Sequence, residues 1–113
     1  MDCIFCKIIN GEIPSSKVYE DELVYAFNDI NPSAPVHVLV VPKEHIVSVE
    51  HLEERHKSLI GHIHLVASKI AKTLNVDKSG YRLLTNVGED GGQSVLHLHY
   101  HLVGGRPLQW PPG

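Results

Sequence analysis

Val95-Leu96-His97-Leu98-His99-Tyr100-His101-Leu102-Val103 is the stretch that decides how this chain is read. Apolar residues alternate with three histidines, the two-residue period of a strand. Side chains on a strand point to opposite faces in turn. An extended 95–103 therefore sets His97, His99 and His101 on one face, about 6.5–7 Å from one to the next. Leu96, Leu98, Tyr100 and Leu102 take the other face and suit packing under a helix. Histidine is not among the residues enriched in strands, so three in alternation speak for chemistry rather than for the sheet.

Two chemistries fit three imidazoles. They can ligate a catalytic metal, because neutral imidazole suits Zn, Cu and Fe. Alternatively, one is a nucleophile and its neighbours orient it and hold an anionic substrate. The flanks favour the second reading. Gly91-Gly92-Gln93-Ser94 runs straight into the strand, and glycine lets backbone N–H groups approach phosphate oxygens. Ser94 adds a hydroxyl, and Asn86 an amide on the preceding strand. A metal site would more naturally bring a carboxylate onto the same face, and none is evident. A solvated polar face that merely uses histidine is the remaining alternative.

Outward from this stretch the elements follow in order. Residues 5–9 read as one helical turn ended by Asn10-Gly11. Pro14 and Ser15-Ser16 mark a loop, and strands over 17–20 and 23–27 flank a tight turn. Residues 28–35 form a loop with two prolines; 37–41, β-branched and apolar between Pro35 and Pro42, form a buried strand. Leu52, Leu59, Ile63, Val66, Ile70, Ala71 and Leu74 recur at helical spacing, which predicts a helix over 53–74. A strand over 81–86 and the glycine-rich loop 88–92 complete the approach to the histidines. The order is that of an α+β domain, an antiparallel sheet with the long helix on one face. Gly104-Gly105 closes the last strand, and 106–113 is a tail with three prolines and Trp110.

The chain has 113 residues, enough for one domain with a single core. It is 42% hydrophobic and 20% charged, which argues against wholesale disorder. A net charge of -3 with no basic block gives no footprint for nucleic acid or an anionic membrane. No apolar run reaches the roughly 18 residues of a membrane span, and no secretory signal is visible. The expected address is the cytoplasm. Nine histidines in one chain are unusual. His51, His56, His62 and His64, in or near the long helix, read as surface or helix-packing residues, and Glu89-Asp90 as a solvated turn.

The two cysteines form Cys3-Ile4-Phe5-Cys6. That spacing fits half of a tetrahedral zinc site with two ligands elsewhere. It also fits a redox pair, although no strand precedes it as in thioredoxin-like folds. The third possibility is two buried small residues with no special role.

The His-x-His-x-His pattern with hydrophobic spacers resembles the histidine triad (HIT) superfamily. The likeness covers nearly the whole chain: Cys3-Ile4-Phe5-Cys6-Lys7-Ile8-Ile9, Glu12-Ile13-Pro14, Ala26-Phe27-Asn28-Asp29-Ile30, Val40-Val41-Pro42-Lys43-Glu44-His45-Ile46 and Gly91-Gly92-Gln93-Ser94-Val95. Gly104-Gly105-Arg106 and Trp110-Pro111-Pro112-Gly113 resemble the Hint branch. The resemblance implies a five-stranded antiparallel sheet with one long and one short helix, in a single domain over 1–113. It implies a homodimer whose sheets join into ten strands. It implies hydrolysis of purine nucleoside 5'-phosphoramidates and aminoacyl adenylates, with release of the nucleoside monophosphate. By position, His99 matches the nucleophile, which forms a nucleotidyl-histidine intermediate, and His101 the α-phosphate contact. His37 matches a further active-site histidine. Asn86, Gly92 and Ser94 match phosphate and leaving-group contacts. Asp29 and Ile30 match ribose contacts, and Ile4, Phe5, Phe27 and Leu39 the walls of the purine slot. Trp110 lies in a tail that, in that branch, reaches toward the partner's site. Cys3, Cys6, His45 and His97 match the ligands of a zinc that some members hold. That zinc would be structural, with no cofactor required for catalysis. Two rivals stand beside this reading: a metal-dependent hydrolase with the triad as ligands, and a nucleotide-binding module without turnover.

Overall fold

The computed structural model describes residues 3–113. Helix α1 spans Ile4–Ile9, and strands β1 (Lys17–Glu20), β2 (Val24–Asn28) and β3 (Val36–Pro42) follow. Two 3₁₀ turns, Val49–His51 and Glu54–His56, lead into helix α2, Lys57–Thr73; β4 (Tyr81–Thr85) and β5 (Tyr100–Gly104) close the chain. The strands form one antiparallel sheet in the order β1-β2-β3-β5-β4. The expected five-stranded α+β architecture is therefore what the chain adopts.

Both faces of the sheet are covered at its centre, which is why β2 and β3 read as unbroken apolar runs rather than as alternating ones. Val24, Ala26, Val38, Val40, Tyr100 and Leu102 face α2, whose Ile63, Val66, Ile70 and Ala71 recur every three or four residues and meet them. The opposite face, Tyr25, Phe27, Leu39 and Val41, packs under Phe5 and Ile8 of α1. Leu102 is fully buried in the larger cluster. Leu102→Ala is expected to cost about 2–5 kcal/mol, to be read as a lower urea midpoint at unchanged slope. A cost under about 1 kcal/mol would mean that this layer is not the main core.

Two boundaries differ from expectation by more than two residues. The long helix starts at Lys57 rather than at 53, because Glu53 is extended and donates its N–H to His56 Nδ1 (2.9 Å), opening a 3₁₀ turn first. The last strand starts at Tyr100 rather than at 95. Val40 pairs with Tyr100, so the same register would set Leu98 opposite Pro42, which has no N–H for a ladder. The chain turns off instead, and Leu98 donates to the Ile46 carbonyl at 2.6 Å. In consequence Leu96 is 63% exposed and not in the core, while Leu98, Tyr100 and Leu102 are buried as expected. Only His101 lies on the strand, but the alternation of sides persists: Leu98, Tyr100 and Leu102 pack on the α2 side, while His97 and His99 pack against Phe5 on the other and the His99 ring lies 5.0 Å from that of His101.

Candidate active site

Hydrogen-bond partners that can only donate or only accept determine where each imidazole carries its proton. His99 Nδ1 lies 2.7 Å from the His97 carbonyl. That oxygen only accepts, so Nδ1 carries the hydrogen and Nε2 keeps a lone pair. The ring is 3% exposed, and burial pushes its pKa down, which holds it neutral at pH 7. Thr85 Oγ1 donates to the His99 carbonyl at 2.8 Å, tying the residue to β4 just where the ladder ends.

His101 is the opposite case. The Ser33 N–H donates to His37 Nδ1 at 3.0 Å, so the His37 proton sits on Nε2. That Nε2 donates to His101 Nδ1 at 2.9 Å. The His101 proton is therefore on Nε2, a buried atom with no hydrogen-bond partner in the structure. Burial first, then the neighbouring His99 and His37, push the His101 pKa down to about 4. The rings of His99 and His101 are 5.0 Å apart. A ring with a bare nitrogen thus neighbours a ring with an unused N–H, a pairing that can attack phosphorus and bind its oxygen.

The His101 value has a thermodynamic consequence. An unfolded histidine protonates near pH 6.5, the folded one only near 4. Between these values the unfolded chain binds more protons, so stability falls as pH falls through this window and levels off below it. Carboxylates such as Glu44, held at about 2 by Arg55 and then His56, add their own loss only below about pH 4.5. Urea unfolding at pH 7, 5.5 and 4.5 is expected to show the decline, and His101→Gln to flatten it. An equal slope in both proteins would assign the effect elsewhere.

The glycine loop is built differently from its expected role. A Cβ on Gly91 would lie 2.3 Å from the Val87 carbonyl oxygen, and Gly92 has φ +80. Both positions therefore demand glycine. The Gly92 N–H is used within the loop, on the Glu89 carbonyl, and the Gln93 N–H on that of Gly88. Among the described residues this leaves the Ser94 N–H and hydroxyl without a protein partner. Gln93, unremarked in the sequence, locks the loop: its amide donates to the Val47 and Val95 carbonyls (2.7 and 3.1 Å) and accepts from the Gly88 N–H at 3.0 Å.

A cavity of about 270 Å³ opens beside the histidines, lined by Ser33, His37, His101, Asn86, Leu84 and Leu108 among others. Asp29 Oδ2 is 3.5 Å from His37 Nε2. Phe5 packs edge-on against His99, ring centres 5.1 Å apart, and against Phe27 at 5.6 Å. Leu39 joins the same buried cluster. Ile4, Ile30 and Trp110 project outward, at 49%, 92% and 81% exposure. In the tail, the Gln109 carbonyl accepts from Arg82 of the same chain at 2.9 Å.

His97 belongs to a second cluster. Its Nε2 donates to the Pro42 carbonyl at 2.9 Å, which leaves the lone pair on Nδ1. That Nδ1 is 3.4 Å from Cys3 Sγ, 3.6 Å from Cys6 Sγ and 3.1 Å from His45 Nδ1. Cys6 Sγ is 3.4 Å from His45 Nδ1. Ligands of a tetrahedral zinc, with bonds of 2.0–2.3 Å, stand about 3.3–3.8 Å apart, so these four residues fit one. Burial and then the adjacent Cys3 push the Cys6 thiol up, the state of two crowded thiols that a dication would relieve. Asp29, His37 and His101 also gather their ligand atoms within 4.8 Å. They fail the same test, because His37 Nε2 carries a hydrogen where a ligand needs a lone pair.

Of the remaining histidines, His56 is buried against Glu44 at 3.1 Å, His62 bonds Asp21 at 2.6 Å, and His64 stacks edge-on to Tyr100. His51 bonds Ser48 at 3.1 Å.

A ring with a bare nitrogen beside a ring with an unused N–H, at the end of a five-stranded antiparallel sheet, matches the pattern that the sequence resemblance implied. The chain belongs to the HIT domain family, whose pattern it matches over residues 10–108. It is similar to the HIT family hydrolase of Legionella pneumophila Philadelphia 1, with a TM-score of 0.98 and 46% identity, covering 99% of this chain and all of that one. A 14 kDa zinc-binding protein of Zea mays is 50% identical over 112 residues, 97% of this chain and 87% of its own length. A histidine triad nucleotide-binding protein of Candida albicans superposes with a TM-score of 0.83 at 38% identity, covering 97% of this chain and 83% of that one.

Proposed function

We propose that this chain hydrolyses purine nucleoside 5'-phosphoramidates, and aminoacyl adenylates, through a nucleotidyl group on His99. One observation carries the reading: the His99 ring, with a bare Nε2, adjoins the His101 ring, whose Nε2–H has no other partner. The hydrolase name of the Legionella protein and the nucleotide-binding name of the Candida protein support the class of reaction and ligand.

His99 Nε2 attacks phosphorus as the P–N bond to the leaving amine, or in an aminoacyl adenylate the P–O bond to the leaving carboxylate, breaks. The His97 carbonyl stabilises the imidazolium that forms, through the Nδ1–H. His101 Nε2–H, the Asn86 amide and the Ser94 N–H hold the phosphoryl oxygens as charge moves onto them. The departing amine takes its proton through the Ser94 hydroxyl or water. Water then attacks phosphorus, the P–N bond to His99 breaks, and its electron pair returns to Nε2. The purine lies against Phe5, Phe27 and Leu39, and the ribose near Asp29 and Ile30. Gly92 shapes the loop. Trp110 of the tail serves the partner's site in a homodimer that extends the sheet to ten strands.

Cys3, Cys6, His45 and His97 hold a structural zinc, a reading that the zinc-binding name of the maize protein supports. When bound, zinc supplies a fixed tetrahedral anchor and no chemistry at phosphorus. Among the described residues no helix is long and apolar enough to cross a membrane.

Single-turnover mass spectrometry with an adenosine phosphoramidate tests the reading. The expected result is a transient nucleotidyl adduct on the peptide holding His99, with or without chelator. Turnover without an adduct and fully sensitive to chelator would move the chemistry to a metal. Nucleotide binding without turnover would leave a binding module.

A further inference from the structure

Cys3 caps α1, its Sγ accepting the Cys6 N–H at 3.4 Å. Both thiols are free, and the two sulfurs lie within 4.8 Å of each other in the cluster with His45 and His97. Two contacts on the nucleophile depend on this pair. The first is the His97 carbonyl, which holds His99 Nδ1–H while the His97 ring rests on both sulfurs. The second is Phe5, which lies between the two cysteines in sequence and packs edge-on against both His97 and His99.

We propose that Cys3 and Cys6 form a redox switch on His99, oxidised by hydroperoxides and reset by dithiols. Cys6 is the more exposed of the two, so peroxide reaches it first, and its thiol proton passes to the hydroxide that leaves as water. Its sulfur breaks the O–O bond of hydrogen peroxide, becoming a sulfenic acid and releasing one water. Cys3 Sγ then attacks Cys6 Sγ, the S–S bond forms and a second water leaves. In sum, two thiols and one peroxide give one disulfide and two waters; the cysteines lose two electrons and the peroxide gains them. A dithiol reverses the step by exchange.

The disulfide removes both sulfurs from the cluster at once. Drawn to about 2.05 Å, they no longer serve His97 Nδ1, His45 or a metal. His97 is fully buried, so its Nδ1 is left as a buried acceptor without a partner, and the ring must shift. Its carbonyl moves with it, and Phe5 moves with α1. The reduced, metal-free chain differs, because its thiols still contact both imidazoles. Oxidation is therefore expected to cost more turnover than chelation does.

The activity readout rests on the phosphoramidase reading, so the test carries a second one. Reduced, zinc-loaded protein is treated with equimolar hydrogen peroxide. Intact mass, zinc release to a colorimetric chelator, the His99 ring N–H resonance and phosphoramidate turnover are then followed. Expected are loss of two hydrogens in mass, zinc release, loss of the hydrogen-bonded His99 resonance and a fall in turnover of at least about tenfold, all restored by dithiothreitol. Cys6→Ser, whatever its own rate, is expected to keep that rate in peroxide. A disulfide with undiminished turnover and an unmoved His99 resonance would overturn the switch, as would uptake of oxygen with no disulfide. If the reduced protein turns nothing over, the phosphoramidase reading falls, and the His99 resonance alone decides the switch.

Discussion

His99→Ala is expected to leave a folded protein whose turnover is at least about a thousandfold lower, some 4 kcal/mol in the barrier. Among the described histidines around His99, no other offers a free bare nitrogen. His101 Nδ1 is occupied by His37 and its Nε2 carries a hydrogen, and His97 Nδ1 faces the cysteines. The stability cost is expected to stay at about 2–3 kcal/mol, from the lost packing of the buried ring on Phe5, since β5 starts after residue 99 and its ladder is untouched. Retention of more than about a tenth of the parent rate would mean that another group attacks. His101→Ala makes the contrast. It keeps the nucleophile and loses a donor, so it is expected to form the same adduct about a hundredfold more slowly.

Removal of zinc is expected to show the reverse pattern. If free zinc exceeds its dissociation constant a thousandfold, binding adds about 4 kcal/mol to folding stability. For a chain of this size that corresponds to a fall in Tm on the order of 15 °C on chelation. Turnover of the reduced, metal-free protein well below its Tm is expected to stay within about threefold, a barrier change under 1 kcal/mol. The four side chains already converge without an ion, through contacts of 3.1–3.6 Å. Abolished turnover with an unchanged melting curve would instead place the metal at the reacting phosphorus.

Much of this was legible because each element carries its own local signal. Strand β1 matches its expected bounds, and the others differ by one or two residues, apart from the early part of β5. The break before Tyr100 was not legible from 95–103, because its cause, Pro42, lies in another strand and matters only once the register is known. Nor were the proton positions. They depend on a Ser33 N–H and on the Pro42 and His97 carbonyls, backbone groups that carry no mark of residue type, save that proline lacks the N–H. Gly92 illustrates a subtler limit. Its type is required by φ +80, but whether its N–H faces a ligand or a turn is a tertiary fact.

The row from Ser33 through His37 to His101 has a fixed direction. Its first donor is a peptide N–H, which cannot reverse, so neither ring can flip its proton without breaking the row. Electrically the row is a short stack of aligned dipoles with no net charge and its positive end at His101 Nε2. It draws an oxyanion as a bound dipole would, not as a cation would. Added salt screens charges far more than buried dipoles. Such a site stays receptive to phosphate at ionic strengths that would silence a lysine in its place.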